Sequence, residues 1–233
     1  MDRRSLLSRP ARTSGDHEVR TAAVLGLGRF GSALATQLEE LGVEVLGVDA
    51  DPTTVQDHAT ALTHVVRSDA SRADALDQLG VAEADRVIVA VGGRLEVSIL
   101  ACSHLLRIGV KDLWAKADSD AHAQILRQLG VPHVVKPERE TGVRVAHRIT
   151  DRAEDWVDYG GGLVMGRFWV PTWLLHRTAA DARVADRFDV RVLMRRGPGE
   201  DWSYVTPQTR FVPDDEVIVA GAPQKVERFG RAD

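Results

Sequence analysis

The stretch from Thr21 to Asp49, TAAVLGLGRFGSALATQLEELGVEVLGVD, constrains the fold of this chain more than any other. A short apolar run, Ala22 to Leu25, meets Gly26-Leu27-Gly28-Arg29-Phe30-Gly31, after which Phe30, Leu34, Leu38 and Leu41 recur at helical spacing. A second apolar run, Val43 to Val48, ends on Asp49, 21 residues beyond Gly28. The order is strand, tight turn, helix, strand, acid. Each glycine has a mechanical reason: Gly26 allows a sharp turn, Gly28 lets the backbone approach a pyrophosphate, and Gly31 lets helix and strand pack closely. Free N–H groups at the helix start then face phosphates, and Asp49 accepts hydrogen bonds from ribose hydroxyls. The same acid repels a 2′-phosphate, which argues against NADP. The bland alternative is a Gly-rich connector in a βαβ unit without a ligand. The joint placement of strand, helix, second strand and acid favours a nucleotide cradle.

The rest of the first half repeats this rhythm. Apolar runs begin near Ala22, Glu44, His64, Arg86, Asp112 and His133, at intervals of 20 to 26 residues. Four intervening segments end alike, in Leu41-Gly42-Val43, Leu79-Gly80-Val81, Ile108-Gly109-Val110 and Leu129-Gly130-Val131. A glycine just past a helix adopts the left-handed cap, and the valine after it starts the return towards a strand. Regular βα alternation demands a parallel sheet covered on both faces, so residues 21–137 read as one Rossmann-like, doubly wound α/β domain. In such sheets ligands lie over the carboxyl ends of the strands. Those ends carry Asp49-Ala50-Asp51, Ser68-Asp69-Ala70, Val91-Gly92 and Lys116. Asp69 has a rival reading as part of a helix N-terminus, and Lys116 one as a surface lysine at a strand end.

After Pro137, the residues Val143, Ala146 and Ile149 mark one face of a helix. The pattern breaks at Asp158-Tyr159-Gly160-Gly161-Gly162, which is expected as a boundary, so that 138–162 form a crossover helix and hinge. Residues 163–233 then read as a small α+β lobe: an extended run from Leu163 to Pro171, a polar helix near Ala179 to Arg187, and strands at Val190 to Met194 and Val217 to Ala220.

Composition limits the function. The chain has 233 residues, 44% hydrophobic and 27% charged, with a formal net charge of −4, which is no footprint for nucleic acid. Cys102, between Ile99 and Leu105 on a helix, is the only cysteine, and it reads as a small core residue rather than a nucleophile. No apolar run approaches the roughly 18 residues that span a bilayer. Residues 1–20, with Arg3, Arg4, Arg9, Arg12 and Arg20 diluted by Asp2, Asp16 and Glu18, read as a flexible solvated tail rather than a secretory leader. Neither Tyr159 nor Tyr204 begins a Tyr-x-x-x-Lys pair. The eight histidines show no metal-binding spacing, and a G-x-S-x-G elbow is missing. A nucleotide site without an evident reaction suggests sensing rather than turnover.

Gly26-Leu27-Gly28-Arg29-Phe30-Gly31, Asp49, the strand Arg86 to Gly92, Leu113-Trp114-Ala115-Lys116-Ala117 and Lys136-Pro137-Glu138-Arg139-Glu140-Thr141-Gly142 together resemble the RCK (KTN) domain of Ktr/Trk-type potassium-uptake regulators. The resemblance covers about residues 21–230. It implies a cytoplasmic regulatory subunit at the inner face of the membrane, peripheral to a K⁺ channel subunit. It further implies homodimers assembling into an octameric ring, and binding of ATP or ADP, or of NAD(H), without enzymatic turnover. Carried over by residue, Arg29 matches the arginine that reaches terminal phosphates, Asp49 the ribose acid and Lys116 a phosphate-side lysine. Glu138 matches an acid near a cation (Mg²⁺, Ca²⁺ or Na⁺) at the dimer interface; as the residue after Pro137 it also suits a helix start on dipole grounds alone. In some relatives the C-terminal lobe binds cyclic di-AMP. Arg183 and Arg187 stand in the matching helix, which departs from the expected asparagine-containing pattern. The main alternative is an NAD(H)-dependent oxidoreductase with an unrecognised substrate site; a redox-sensing repressor lacks a basic DNA-reading helix.

Overall fold

The computed structural model describes residues 19–150 and 153–232, so the leader expected over residues 1–20 falls, apart from Val19 and Arg20, outside the described residues. The chain divides into two compact units that meet in sequence between Glu138 and Arg139.

In the first unit, six strands alternate with helices: β1 (Thr21–Leu25), α1 (Arg29–Glu40), β2 (Glu44–Asp49), α2 (Pro52–His58), β3 (His64–Arg67), α3 (Ala73–Gln78), β4 (Arg86–Val89), α4 (Leu95–Arg107), β5 (Leu113–Lys116), α5 (Asp120–Leu129) and β6 (His133–Val135). The strands are all parallel, in the order β3-β2-β1-β4-β5-β6. Strand periodicity sends alternate residues to opposite faces. Ala23 and Leu25 of β1 join one core with Val87, Val89, Leu113 and Ala115. Ala22 and Val24 join a second core with Val45, Ile88 and Ala35 of α1, flanked by Phe30, Leu34 and Leu38. Two cores on two faces make β1 buried along its whole length, as a doubly wound sheet requires. The chain runs outward from β1 to β3 and then returns to β4, so the switch point lies between β1 and β4, where the glycine turn leaves the sheet.

The repeated Gly-Val endings are helix stops. At α4, Gly109 (φ 89°) donates to Leu106 O at 3.1 Å and Val110 N–H to Leu105 O at 3.0 Å. At α5, Gly130 (φ 95°) donates to Arg127 O and Val131 to Leu126 O. Paired 5→2 and 6→1 bonds of this kind satisfy carbonyls that the helix leaves open.

The helix α6 (Pro137–Ile149) begins in the first unit and ends in the second. The second unit continues with β7 (Asp155–Gly160), β8 (Leu163–Trp169), α7 (Ala179–Ala182), α8 (Val184–Phe188), β9 (Arg191–Arg196), β10 (Ser203–Tyr204), β11 (Glu216–Gly221) and α9 (Pro223–Gly230). Its antiparallel sheet has the order β10-β9-β11-β8-β7. Its core is aromatic: Phe229 packs edge-on against Phe168, Trp173 and Phe188 at 5.6 to 5.8 Å.

Two expectations change here. The break at Asp158 to Gly162 is a hairpin turn between the paired strands β7 and β8, not a boundary, so residues 155–160 belong to the lobe that was expected to begin at 163. The turn glycines Gly160, Gly161 and Gly162 all have positive φ, and it is this turn that imitates a linker in the sequence. The helix expected over Ala179 to Arg187 is broken at Arg183, whose φ is 48°. Residues two apart point to nearly opposite sides of an unbroken helix, and the break lets Ala182, Val184 and Phe188 all reach the core. The apolar face expected on α6 is uncovered among the described residues, with Val143 44% and Ile149 75% exposed.

Candidate functional site

The glycine turn is built by close backbone contacts. Gly26 (φ 96°) donates to Val48 O at 2.7 Å, and Ala90 N–H donates to Leu25 O at 2.7 Å, so the turn is stitched to both neighbouring strands. A Cβ on Gly31 would lie 1.9 Å from Gly26 O, so the first turn of α1 sits directly on the glycine loop. A Cβ on Gly28 would meet nothing within 4 Å. That space faces the cleft. Gly28 caps α1 without a side-chain hydrogen bond, the first turn holds no acid, and the first intrahelical bond runs from Ser32 N–H to Gly28 O. The N–H groups of Arg29, Phe30 and Gly31 therefore lack intrahelical partners, and the positive end of the helix dipole is open.

Two chambers share Gly28, Ala90 and Gly92 as common walls. The first, about 200 Å³, collects the ends of β2 and β3: Asp49 and Ala50, then Ser68, Asp69 and Ala70, with Gly26, Val91 and an apolar floor of Val48, Ala90 and Val97. Asp69 is held by Ser71, whose backbone N–H (2.9 Å) and hydroxyl (2.8 Å) both donate to Oδ1, while Oδ2 faces Arg94 at 3.9 Å. The Ser71 bonds, with Arg94 and Arg72 behind them, keep this carboxyl below the usual range.

The second chamber, about 490 Å³, is walled by Arg29, Phe30, Gly93, Lys116, Asp118 and Glu138. Arg29 is exposed and has no ion-pair partner among the described residues. Lys116 is the opposite case. Its side chain is 10% exposed, and its Nζ donates to Glu138 Oε1 at 2.7 Å and Asp118 Oδ1 at 3.1 Å. Burial works against the ammonium, but the two carboxylates outweigh it and its pKa rises. Glu138 is lowered chiefly by Lys116. For Asp118 burial opposes ionisation, and the Gly93 N–H (2.7 Å) and Lys116 overcome it. Behind Asp118, its backbone N–H donates to Nδ1 of the buried His122 at 3.3 Å, and desolvation lowers that histidine despite the pull of Asp118.

Most residues expected at the site thus line one chamber or the other. Leu27, Gly31 and Asp51 do not; they build it. Leu27 presents its N–H to Asp49 and buries its side chain, Gly31 supplies the close approach, and Asp51 caps α2 by accepting from Thr53 N–H at 2.8 Å. Arg94 and Asp118 were missed. Both stand in short loops after strands, and the available signal for Asp118 was an acid two residues beyond Lys116 at a strand end. For the expected cation, the described residues hold no group of three or more His, Cys, Asp or Glu side chains that could ligate a metal. Glu138 is engaged by Lys116, so a hard cation would need phosphate oxygens or a second copy beside it. In the second unit, Arg183 pairs with Asp186 at 2.7 Å and Arg187 lies over the rings of Trp173 and Phe188. Neither lines the cavity bounded by Trp169, Arg196, the Gly197–Gly199 loop and Glu216.

The TrkA-N domain model matches residues 22–137. Over 206 residues the chain is 32% identical to Ktr system potassium uptake protein A of Vibrio alginolyticus, covering 88% of this chain and 93% of that one. The chain belongs to the TrkA-N family of potassium-uptake proteins. Among solved structures it is similar to the GsuK channel, with a TM-score of 0.61 and 18% identity over 95% of this chain and 40% of that one. It is also similar to the GsuK channel bound to NAD, with a TM-score of 0.51 and 20% identity over 94% of this chain and 39% of that one. At such identity the likeness is one of fold, and this chain spans about two fifths of the channel's length. The TrkA-N match ends at Pro137, so both chambers fall within it except for Glu138.

Proposed function

We propose that the protein is the regulatory subunit of a Ktr-type potassium-uptake system and binds an adenine nucleotide across the two chambers, ATP and ADP being distinguished by their terminal phosphates. The observation that carries this reading is Arg29: an exposed guanidinium without an ion-pair partner among the described residues, in the first turn of a helix whose N-terminal N–H groups are open. A guanidinium and a helix N-terminus together favour a ligand with several terminal charges. Asp49 and the apolar floor suit the adenosine end, and Lys116 in the wall of the second chamber suits a phosphate. NAD(H) is the alternative ligand, supported by the NAD-bound relative in fold; its nicotinamide end would gain little from Arg29. The regulatory reading goes with a non-enzymatic role, and hydride transfer in a turnover screen would replace it.

The uncovered apolar face of α6 supports a second copy as partner, and with it the expected homodimer and octameric ring, docked on a membrane K⁺ channel subunit at the cytoplasmic face. Among the described residues no helix is long and apolar enough to cross a membrane. Cyclic di-AMP at Arg183 and Arg187 would require Arg183 to leave Asp186. Calorimetric titration of the purified chain with ATP, ADP and NADH tests the reading. ATP and ADP should differ in affinity, and Arg29→Ala should weaken ATP by about tenfold, as expected for one charge-assisted contact. Equal binding of ATP and ADP, unaltered by Arg29→Ala, would remove Arg29 from the proposed role.

A further inference from the structure

The second chamber holds two cations, Arg29 and Lys116, and two acids, Asp118 and Glu138. A phosphate chain that enters it finds Arg29 free but Lys116 already flanked by two carboxylates. Three anionic groups cannot share one ammonium that is 90% enclosed without strong mutual repulsion. A phosphate that approaches Lys116 therefore competes with the carboxylates already on it. The two are not held equally. Asp118 is tied at two points, to Lys116 and to the Gly93 N–H, and is 34% exposed. The Glu138 side chain is 60% exposed, and Lys116 is its one ion-pair partner among the described residues. Glu138 is also the second residue of α6 and the last of the first compact unit, so its side chain ties the start of that helix to the nucleotide-binding sheet.

We propose that Glu138 and the phosphate chain of the bound nucleotide compete for Lys116, so that phosphate in the second chamber releases the first turn of α6 from the end of β5. The inference rests on the nucleotide reading above and adds a device to it: phosphate count is converted into the making or breaking of one ion pair at the covalent junction between the units. Adenosine carries no phosphate to compete for Lys116 and leaves the pair intact. ATP breaks it.

The test uses the full chain in buffer with EDTA, so that no divalent cation bridges Glu138 to phosphate. The quantity read is the ratio of ATP to adenosine affinity by calorimetry, in the wild type and in Glu138→Gln, with a thermal melt of each to confirm folding. Removing the competitor should raise that ratio by about threefold, the scale of one partly exposed ion pair. Hydrogen exchange gives the second readout. ATP should speed exchange of the amides of Thr141 to Arg144, which close the first turn of α6 by donating to its carbonyls, in the wild type; adenosine should not, and Glu138→Gln should exchange fast without any ligand. An unchanged or lowered ratio in Glu138→Gln, or slowing of that turn by ATP, overturns the competition while leaving nucleotide binding intact. Failure of both adenosine and ATP to bind the wild type overturns the nucleotide reading, and the competition with it.

Discussion

Asp49 Oδ2 accepts a 2.7 Å hydrogen bond from the backbone N–H of Leu27. Its other oxygen accepts from Asp51 N–H at 2.9 Å. The acid expected to face a ribose therefore also braces the glycine turn from the neighbouring strand, with lone pairs left over for a ligand. Asp49→Asn keeps one acceptor oxygen and loses the other. It should lower stability by about 1 kcal/mol and weaken every adenosine-containing ligand alike. Urea denaturation and titration with adenosine check the two effects; an unchanged midpoint would mean that the brace adds nothing to the fold.

Gly28 and Gly31 separate space for a ligand from space for the fold. A methyl group at Gly31 collides with Gly26 O, so Gly31→Ala should cost about 3 kcal/mol or prevent folding. At Gly28 (φ −68°) a methyl group meets no protein atom, so Gly28→Ala should melt within a few degrees of the wild type. It should nonetheless weaken nucleotide binding by about tenfold or more, because the methyl group fills the cleft. Thermal melting and calorimetry on the two variants decide it. Full nucleotide affinity in Gly28→Ala would place the ligand elsewhere.

Stability should fall on the acid side in two limbs. The pKa of His122 is lowered by burial, so its contribution is complete above the ordinary histidine value of about 6.5 and is lost as pH falls through its lower folded value. Asp69, Asp118 and Glu138 are likewise lowered, so their contribution is complete above about pH 4 and disappears below it. Lys116 is raised, and its contribution is lost only as pH climbs past the ordinary lysine value of about 10.4. Melting temperature followed from pH 8 to pH 3 should show both acid limbs. His122→Asn, which keeps an acceptor for Asp118 N–H but does not titrate, should flatten the first.

Cys102 lies in the core on α4, fully buried, with its thiol pushed up to about 12 by desolvation. The folded protein should therefore resist thiol reagents at pH 8, and labelling should appear only with unfolding. Mass spectrometry after alkylation across a urea series reads this directly; rapid labelling in native buffer would show the helix opening locally.

The first unit was largely legible because its signals are periodic and local. The six apolar runs fall within a residue of the observed strand starts, and the four Gly-Val endings are all left-handed caps. The second unit was read less well, for physical reasons. The triple glycine between β7 and β8 carries the composition of a linker and the geometry of a hairpin. The α9 helix went unread although Pro223 at its start and the buried Val226 and Phe229 three residues apart mark an amphipathic helix. The break at Arg183 could not be foreseen, because Arg183 takes a left-handed backbone conformation only under the demand of core packing on both sides of it. In the site, the residues of the glycine motif and of the strand ends at Asp49, Ser68-Asp69 and Lys116 were found, and Arg94 and Asp118, in the short loops beyond β4 and β5, were not.

Gly92 stands where the two chambers meet, and the Cβ it lacks would sit 3.1 Å from the Lys116 ammonium and 3.7 Å from Asp118. A side chain at this position would crowd the ammonium. The missing carbon is what lets that ammonium lie against the backbone at the wall common to both compartments.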